Sequence, residues 1–392
     1  MSQRSVIKNA NIISGFAVLN DCGIFIEDGF IADIFSMKRY ESKDFPSDTV
    51  VFDAGGATVC PGLIDTHIHG VCGFGVEDMT SEAILGMSRA LVEFGVTSFI
   101  PTVYPDGKEK LFVQEEAICS AMGNETGAKI LGINVEGPFI SQKRPGALPL
   151  ESISPVDIEY FDEIIDHGHE HVICMTVAPE LKHMHELALR AKSRHVTLLA
   201  GHTDASYENM MEGMQCGILH STHFFNAMSR LHHRNPGTVG AILIHPDMCC
   251  EIIADGVHVH PELVKMVTRM KPAENIVLIT DSLKPNHQKD GKLFANGVEV
   301  VMGKDGAFVS ASDETLLNGS ALTLNKAIYN MKQWGISPEV TVQMATESPA
   351  RIYGFDSIGV LVPGNRADIS VFDDNFDPLA VFIDGNPVLC RI

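Results

Sequence analysis

Paired cysteines are missing from this chain of 392 residues: its nine cysteines are odd in number, scattered, and nowhere spaced C-x-x-C. A disulfide framework and a thiolate zinc site are therefore not expected, whereas free thiols in a reducing cytoplasm are. Basic residues are scarce as well, 29 against 50 acidic ones, for a net charge of −21. Nucleic acid and anionic membranes need a basic footprint, so neither is expected as a partner. A small phosphorylated ligand stays open, because it needs only a local cluster of donors. No apolar run approaches ~18 residues, and the first residues form no signal-peptide pattern. Low-complexity tracts and fixed-period repeats are absent too. A cytoplasmic location is the expectation.

What is present has an ordinary globular composition, 45% apolar and 20% charged, and is long enough for one large core and a smaller accessory one. Short strands fill the start (Ser5 to Ile13, Cys22 to Glu27, Phe30 to Ser36, Thr49 to Asp53), with turns such as Asp28-Gly29 between them. The far end behaves alike, at Ala367 to Phe372 and Ala380 to Ile383. Both termini are thus expected to build one small β domain. From about Pro61 to Gly354, apolar strands alternate with helical patterns such as Ser81 to Phe94, Asp157 to Asp166 and Ala205 to Cys216. Repeated strand-helix units over that length predict an α/β fold with a parallel (β/α) barrel.

Within this frame the polar residues fall in a pattern. In Pro61-Gly-Leu-Ile-Asp-Thr-His67-Ile-His69, two histidines one residue apart share a face of a strand end, where two imidazoles can share a metal. Downstream, Glu136 ends Lys129 to Val135, His202 follows Thr197 to Ala200, His223 lies in Ser221 to Phe225, and Asp281 ends Ile276 to Thr280. Singly, each has a second reading as a loop carboxylate, a core histidine or a helix cap. Together they occupy the C-terminal strand ends, the face on which such barrels carry their chemistry. Imidazole and carboxylate donors suit a borderline divalent ion, zinc first, with iron, manganese, cobalt or nickel also compatible.

The ordered set resembles the amidohydrolase superfamily. The phrases Glu136-Gly-Pro-Phe, Gly201-His-Thr-Asp-Ala, Thr222-His-Phe-Phe-Asn-Ala-Met, Arg234-Asn-Pro-Gly and Ile253-Ala-Asp-Gly-Val-His258 narrow the likeness to N-acetylglucosamine-6-phosphate deacetylases. Gly319-Ser-Ala-Leu-Thr and Ser348-Pro-Ala-Arg extend it over nearly the whole chain. The resemblance implies a (β/α)8 TIM-type barrel at 59–359, a β-sandwich domain built from 1–58 and 360–392, and a homodimer. Glu136, His202 and His223 would hold the tighter metal, with His67 and His69 available for a second ion beside Asp281. Asp281 would act as catalytic base and acid in hydrolysing the N-acetyl group of an amino sugar phosphate, N-acetylglucosamine 6-phosphate or its galactosamine epimer. Gly137, Asn226, Ala227 and His258 match substrate contacts, and Arg234 matches an arginine that reaches the phosphate in the partner subunit. The plainer alternatives are a loop asparagine, a surface arginine and a solvated histidine.

One position departs from the pattern. The family carries a histidine after Glu-Gly-Pro that helps polarise the acetyl carbonyl, and here Leu148 stands in that slot. Either a second metal at His67 and His69 takes over the task, or the acyl group or sugar differs.

Overall fold

The middle of the chain is held together by a ring of parallel strands. The computed structural model describes residues 3–15, 17–289 and 291–392. Residues 1, 2, 16 and 290, which fall inside the expected domain ranges, lie outside the described residues. Among the described residues the ring is formed by eight strands: Leu63–Ile68, Val96–Val103, Ile133–Val135, Val172–Val177, Thr197–Ala200, His220–Ser221, Cys249–Ile253 and Ile276–Ile279. Each pairs with its neighbours in chain order. The ring closes at the C-terminal ends of its first and last strands, where the Asp281 N–H donates to the His67 carbonyl (2.8 Å) and the His69 N–H to the Ser282 carbonyl (2.9 Å). Such strands are covered on both faces, and Leu63–Ile68, Val96–Val103 and Cys249–Ile253 are buried along their whole length. This is the expected (β/α)8 barrel.

Helices fall close to their expected bounds where a side chain caps them. Thr80 accepts the Ala83 N–H ahead of Ser81–Leu91, Asp157 caps Ile158–His167, and Ser206 caps Tyr207–Gln215. The sequence pattern did not mark Lys108–Ala121, Gly237–Ile244, Pro338–Ala345 or Glu347–Tyr353. Gly237–Ile244 is buried from Gly237 to Leu243, so no polar stripe outlines it. In Lys108–Ala121 the buried polar pair Gln114 and Glu115 breaks the apolar stripe.

Strands from both termini form one eight-stranded sheet with a core of its own. One of its two longest members, Arg4–Ser14, is shared. Ser5 to Lys8 pair with Val50–Asp53, and Asn11 and Ile12 with the start of Thr58–Pro61. The sheet therefore divides into two leaves, one continuing through Ala17–Glu27 and Phe30–Ser36, the other through Ile369–Phe372, Pro378–Ile383 and Asn386–Cys390. Phe52 of one leaf meets Phe382 of the other edge to face, with ring centroids 5.0 Å apart. Thr58–Pro61 then leads through Gly62 into the first barrel strand. A Cβ at Gly62 would stand 2.0 Å from Thr97 Oγ1, so the junction has room for glycine alone.

A second small sheet was not foreseen. Leu293–Ala295, Val298–Met302, Phe308–Ser310 and Asp313–Leu317 form an antiparallel insert between the last barrel strand and Leu324–Gln333. Leu283, Ala295, Val300 and Phe308 make its core. Asn296 (φ 44°) and Gly297 (φ 77°) supply the left-handed pair that a tight hairpin needs. The insert is tied to the barrel rim where the Asn296 N–H donates to Glu77 Oε1 at 3.0 Å. No helix among the described residues is long and apolar enough to cross a membrane.

Phe382 is fully buried between the two leaves. Phe382→Ala is expected to lower unfolding stability by about 3–5 kcal/mol, read as a shift of the urea midpoint at unchanged slope. A midpoint equal to that of the wild type would mean the leaves do not depend on this contact.

Candidate metal centre

Each ligand candidate stands at or just beyond the C-terminal end of a barrel strand, so the ring brings together residues far apart in the chain. They form two groups, His67–His69–Asp281 and Glu136–His202–His223, whose ligand atoms lie within 4.8 Å of one another in each group. Glu136 joins them. Its Oε1 lies 3.1 Å from His202 Nε2 and 3.0 Å from His223 Nε2, while its Oε2 lies 3.3 Å from His69 Nε2. Asp281 Oδ1 faces the other side, 3.4 Å from His69 Nε2 and 3.7 Å from His67 Nε2. None of the six is more than 9% exposed.

The imidazoles are aimed from behind. His67 Nδ1 donates to Glu251 Oε2 (3.1 Å), His69 Nδ1 to the Thr102 carbonyl (2.9 Å) and His202 Nδ1 to the Arg144 carbonyl (3.0 Å). Those oxygens can only accept, which puts the proton on Nδ1 and leaves Nε2 facing inwards. Glu251 Oε2 also accepts the backbone N–H of His223 at 3.1 Å. Tyr104 stacks flat on His69, centroids 4.1 Å apart. The backbone is strained at three of these residues, since His202, His223 and Asp281 have φ of 44°, 22° and 49°.

Burial drives His67 towards its neutral form, yet the carboxylates of Glu251, Glu136 and Asp281 outweigh it and lift its pKa to about 10. His69 is lifted to about 9 against the same burial by Asp281 and Glu136. For the carboxylates the balance is reversed. Burial raises Glu136, but His202, His223 and His69 pull it well below the ordinary range; Asp281 is likewise lowered, by His69, His67 and His223. The cluster therefore demands positive charge at its centre, and a cation would compete with protons for the same nitrogen lone pairs. His67 Nε2, wholly buried, has no hydrogen-bond partner. An orphaned inward nitrogen among carboxylate oxygens fits a divalent ion.

A cavity of about 470 Å³ opens onto the cluster, lined by His69, Glu136, His202, His223 and Asp281 at its base. Of the expected substrate contacts, Asn226, Ala227 and His258 line it as well. Asp255 Oδ2 holds His258 Nδ1 at 2.6 Å. Gly137 lies behind Glu136 against Pro105 and does not reach the wall. Arg234 is exposed outside the cavity, 2.9 Å from His233 Nε2. Leu148 does line the cavity, and so do Leu283, Val298, Leu316 and Leu317, three of them from the unforeseen insert. Glu251 and Tyr104 were missed in the sequence. A signal for Glu251 existed: it is the one charged residue in the strand Cys249–Ile253, which is otherwise cysteine and isoleucine.

The sequence pattern of the amidohydrolase family matches residues 58–388. The chain belongs to the amidohydrolase family. N-acetylglucosamine-6-phosphate deacetylase of Bacillus subtilis (strain 168) is 32% identical, over 98% of this chain and 97% of its own. N-acetylgalactosamine-6-phosphate deacetylase of Escherichia coli O157:H7 is 30% identical over 97% and 98%. Among solved structures, a mutant N-acetyl-D-glucosamine-6-phosphate deacetylase from Mycobacterium smegmatis, in complex with N-acetyl-D-glucosamine-6-phosphate, superposes with a TM-score of 0.90. It is 25% identical and covers 99% of this chain and 100% of its own. Family membership over nearly the whole chain makes it an enzyme, a hydrolase of the N-acetylglucosamine-6-phosphate deacetylase family.

Glu251→Gln keeps the size of the side chain but removes the charge behind His67 and His223. Metal affinity is expected to fall roughly 10- to 100-fold, measured by competition with a chromogenic chelator. Unchanged affinity would mean that Glu251 only fills space.

Proposed function

We propose that this enzyme removes the N-acetyl group of N-acetylglucosamine 6-phosphate, releasing acetate and glucosamine 6-phosphate. The observation that carries the reading is the pair of facing donor groups bridged by Glu136, with Asp281 on the far side, at the base of a cavity. Curated relatives of that activity at about a third identity support it. Glu136, His202 and His223 would hold one ion and His67, His69 and Asp281 a second, with zinc, iron, manganese, cobalt and nickel all compatible with the donors. Bound there, divalent cations supply the charge that acidifies water and polarises an amide carbonyl, a task the Leu148 side chain cannot share.

The chain's own residues do the rest. Asp281, kept ionised by the imidazoles around it, accepts a proton from the attacking water and passes it to the sugar nitrogen as the C–N bond breaks. The water oxygen stays on acetate. Asn226 spends its Nδ2 on the His223 and Phe224 carbonyls, which leaves its Oδ1 to accept from a hydroxyl of the sugar phosphate. His258, held at Nδ1 by Asp255, offers Nε2 to the sugar. Gly137, off the cavity wall and with its N–H donated to the Val135 carbonyl, is given no substrate contact in this reading. Arg234, exposed and outside its own cavity, is assigned to the site of a partner subunit in a homodimer. The domain division is proposed as 1–58 with 360–392 for the β-sandwich and 59–359 for the barrel. A cytoplasmic setting agrees with nine cysteines all free.

Acetate release from N-acetylglucosamine 6-phosphate by metal-loaded protein tests the reading, with the galactosamine epimer run beside it. Asp281→Asn is expected to cut turnover by about a hundredfold to ten-thousandfold while Glu136, His202 and His223 still bind metal. No release by the wild type from either epimer would discard the substrate. A separate measurement addresses the dimer. Arg234→Ala and Asp281→Asn, each crippled alone, should regain part of the activity when mixed as hybrid dimers; a mixture as inactive as its components would remove Arg234 from the partner's site.

A further inference from the structure

We propose that Arg230 is the anchor, within the same chain, for the phosphate of the substrate, a specificity-determining residue separate from Arg234. This rests on the sugar phosphate reading above. Among the described residues, Arg230 is the only lysine or arginine lining the cavity over the metal centre. It also lines the neighbouring cavity with Arg144 and Asp204, so it stands on the wall between the two. The other ionisable groups lining the first cavity are imidazoles, carboxylates and the Tyr104 phenol, and none offers a permanent positive charge to an anion.

Two further observations separate Arg230 from an ordinary surface arginine. Its guanidinium makes no ion pair or hydrogen bond with any described residue, although the chain holds 50 acidic side chains. Arg144, across the neighbouring cavity, is by contrast neutralised by Asp204 at 2.8 Å. The base of the side chain, meanwhile, is fixed. The Ser229 N–H donates to the Thr203 carbonyl (2.9 Å), Ser229 Oγ donates to the Ala205 carbonyl (2.6 Å), and the Thr238 N–H donates to Ser229 Oγ (2.7 Å). A Cβ on Gly237 would come within 2.9 Å of the Arg230 carbonyl, so the next helix packs directly on this turn. An anchored backbone carrying a free planar fork suits bidentate recognition of phosphate, and little ordering of the main chain remains to be done on binding.

Placement agrees with the shape of the ligand. The reacting amide belongs over Glu136 and Asp281 at the base. Asn226 and Ala227 lie on the same segment as Arg230, which is exposed at the opening. A sugar whose amide and phosphate sit at opposite ends would span from one to the other.

Steady-state kinetics on the metal-loaded full chain test the proposal, with N-acetylglucosamine 6-phosphate and unphosphorylated N-acetylglucosamine as paired substrates. Arg230→Met is expected to raise KM for the phosphorylated substrate about tenfold or more, with kcat within about threefold. The preference for the phosphorylated over the free sugar should fall by a similar factor. Competitive inhibition by inorganic phosphate should weaken in parallel, and Arg230→Lys should recover part of each loss. A wild-type KM in Arg230→Met overturns the assignment while leaving the deacetylase reading intact. Wild-type protein that releases no acetate from the phosphorylated sugar overturns both.

Discussion

Buried negative charge with no lysine or arginine to face it is the constraint on which this molecule turns. Glu136, Asp281 and Glu251 lie at the heart of the barrel, and among the described residues their ionic partners are all imidazoles. An unpaired buried carboxylate costs several kcal/mol, which a fold of ordinary stability cannot carry three times over. Imidazoles meet the demand conditionally, because each can hand its charge to a metal and keep its lone pair in place. A lysine there would settle the charge permanently and leave no room for a cation. The preference for histidine is thus a preference for a centre that is neutralised from outside.

The barrel follows from that need. Six donors spread from His67 to Asp281 must meet within a few ångströms, and a closed ring of parallel strands delivers one strand end after another to the same place. Closure itself is made beside the donors: the Asp281 N–H binds the His67 carbonyl, so the first and last ligand groups fix one another's backbone. The residues just past the strands accept left-handed φ values at His202, His223 and Asp281, which turns their side chains inwards. Each such residue costs about 1–3 kcal/mol, and the surrounding ladder of strand bonds supplies it.

How much of this is legible in the sequence depends on whether a feature is local. The ligand candidates could be read because each closes an apolar run, and the strand-end rule needs only order along the chain. Glu251 escaped the rule because it sits inside Cys249–Ile253, where burial marks it but no terminus does. The insert escaped for a different reason. In Val298–Met302 a single residue faces its small core, so the strand lacks apolar alternation even though Asn296-Gly297 and Asp305-Gly306 announce its turns. Gly237–Ile244 failed the opposite test, being apolar almost throughout. Distances across the ring, the bridging by the two oxygens of Glu136, and the unpaired state of Arg230 against the His233-bound state of Arg234 are relations between remote segments, which no single stretch encodes.

Leu148 and the charge balance bear on the same economy. In the proposed reaction Leu148 adds to an apolar wall shared with Leu283, Val298, Leu316 and Leu317, so polarisation of the amide would come from the donor side alone. At the opposite end, a chain of net charge −21 repels an anionic ligand at long range. That repulsion is screened beyond about 8 Å at physiological ionic strength, so the charge within contact distance decides whether a phosphate is held. One free guanidinium of the chain's own on the cavity wall then matters more than the 21 surplus acids spread over the molecule. Selectivity for an anion is in this way compatible with an acidic protein, provided the arginine that faces the cavity has no carboxylate of its own.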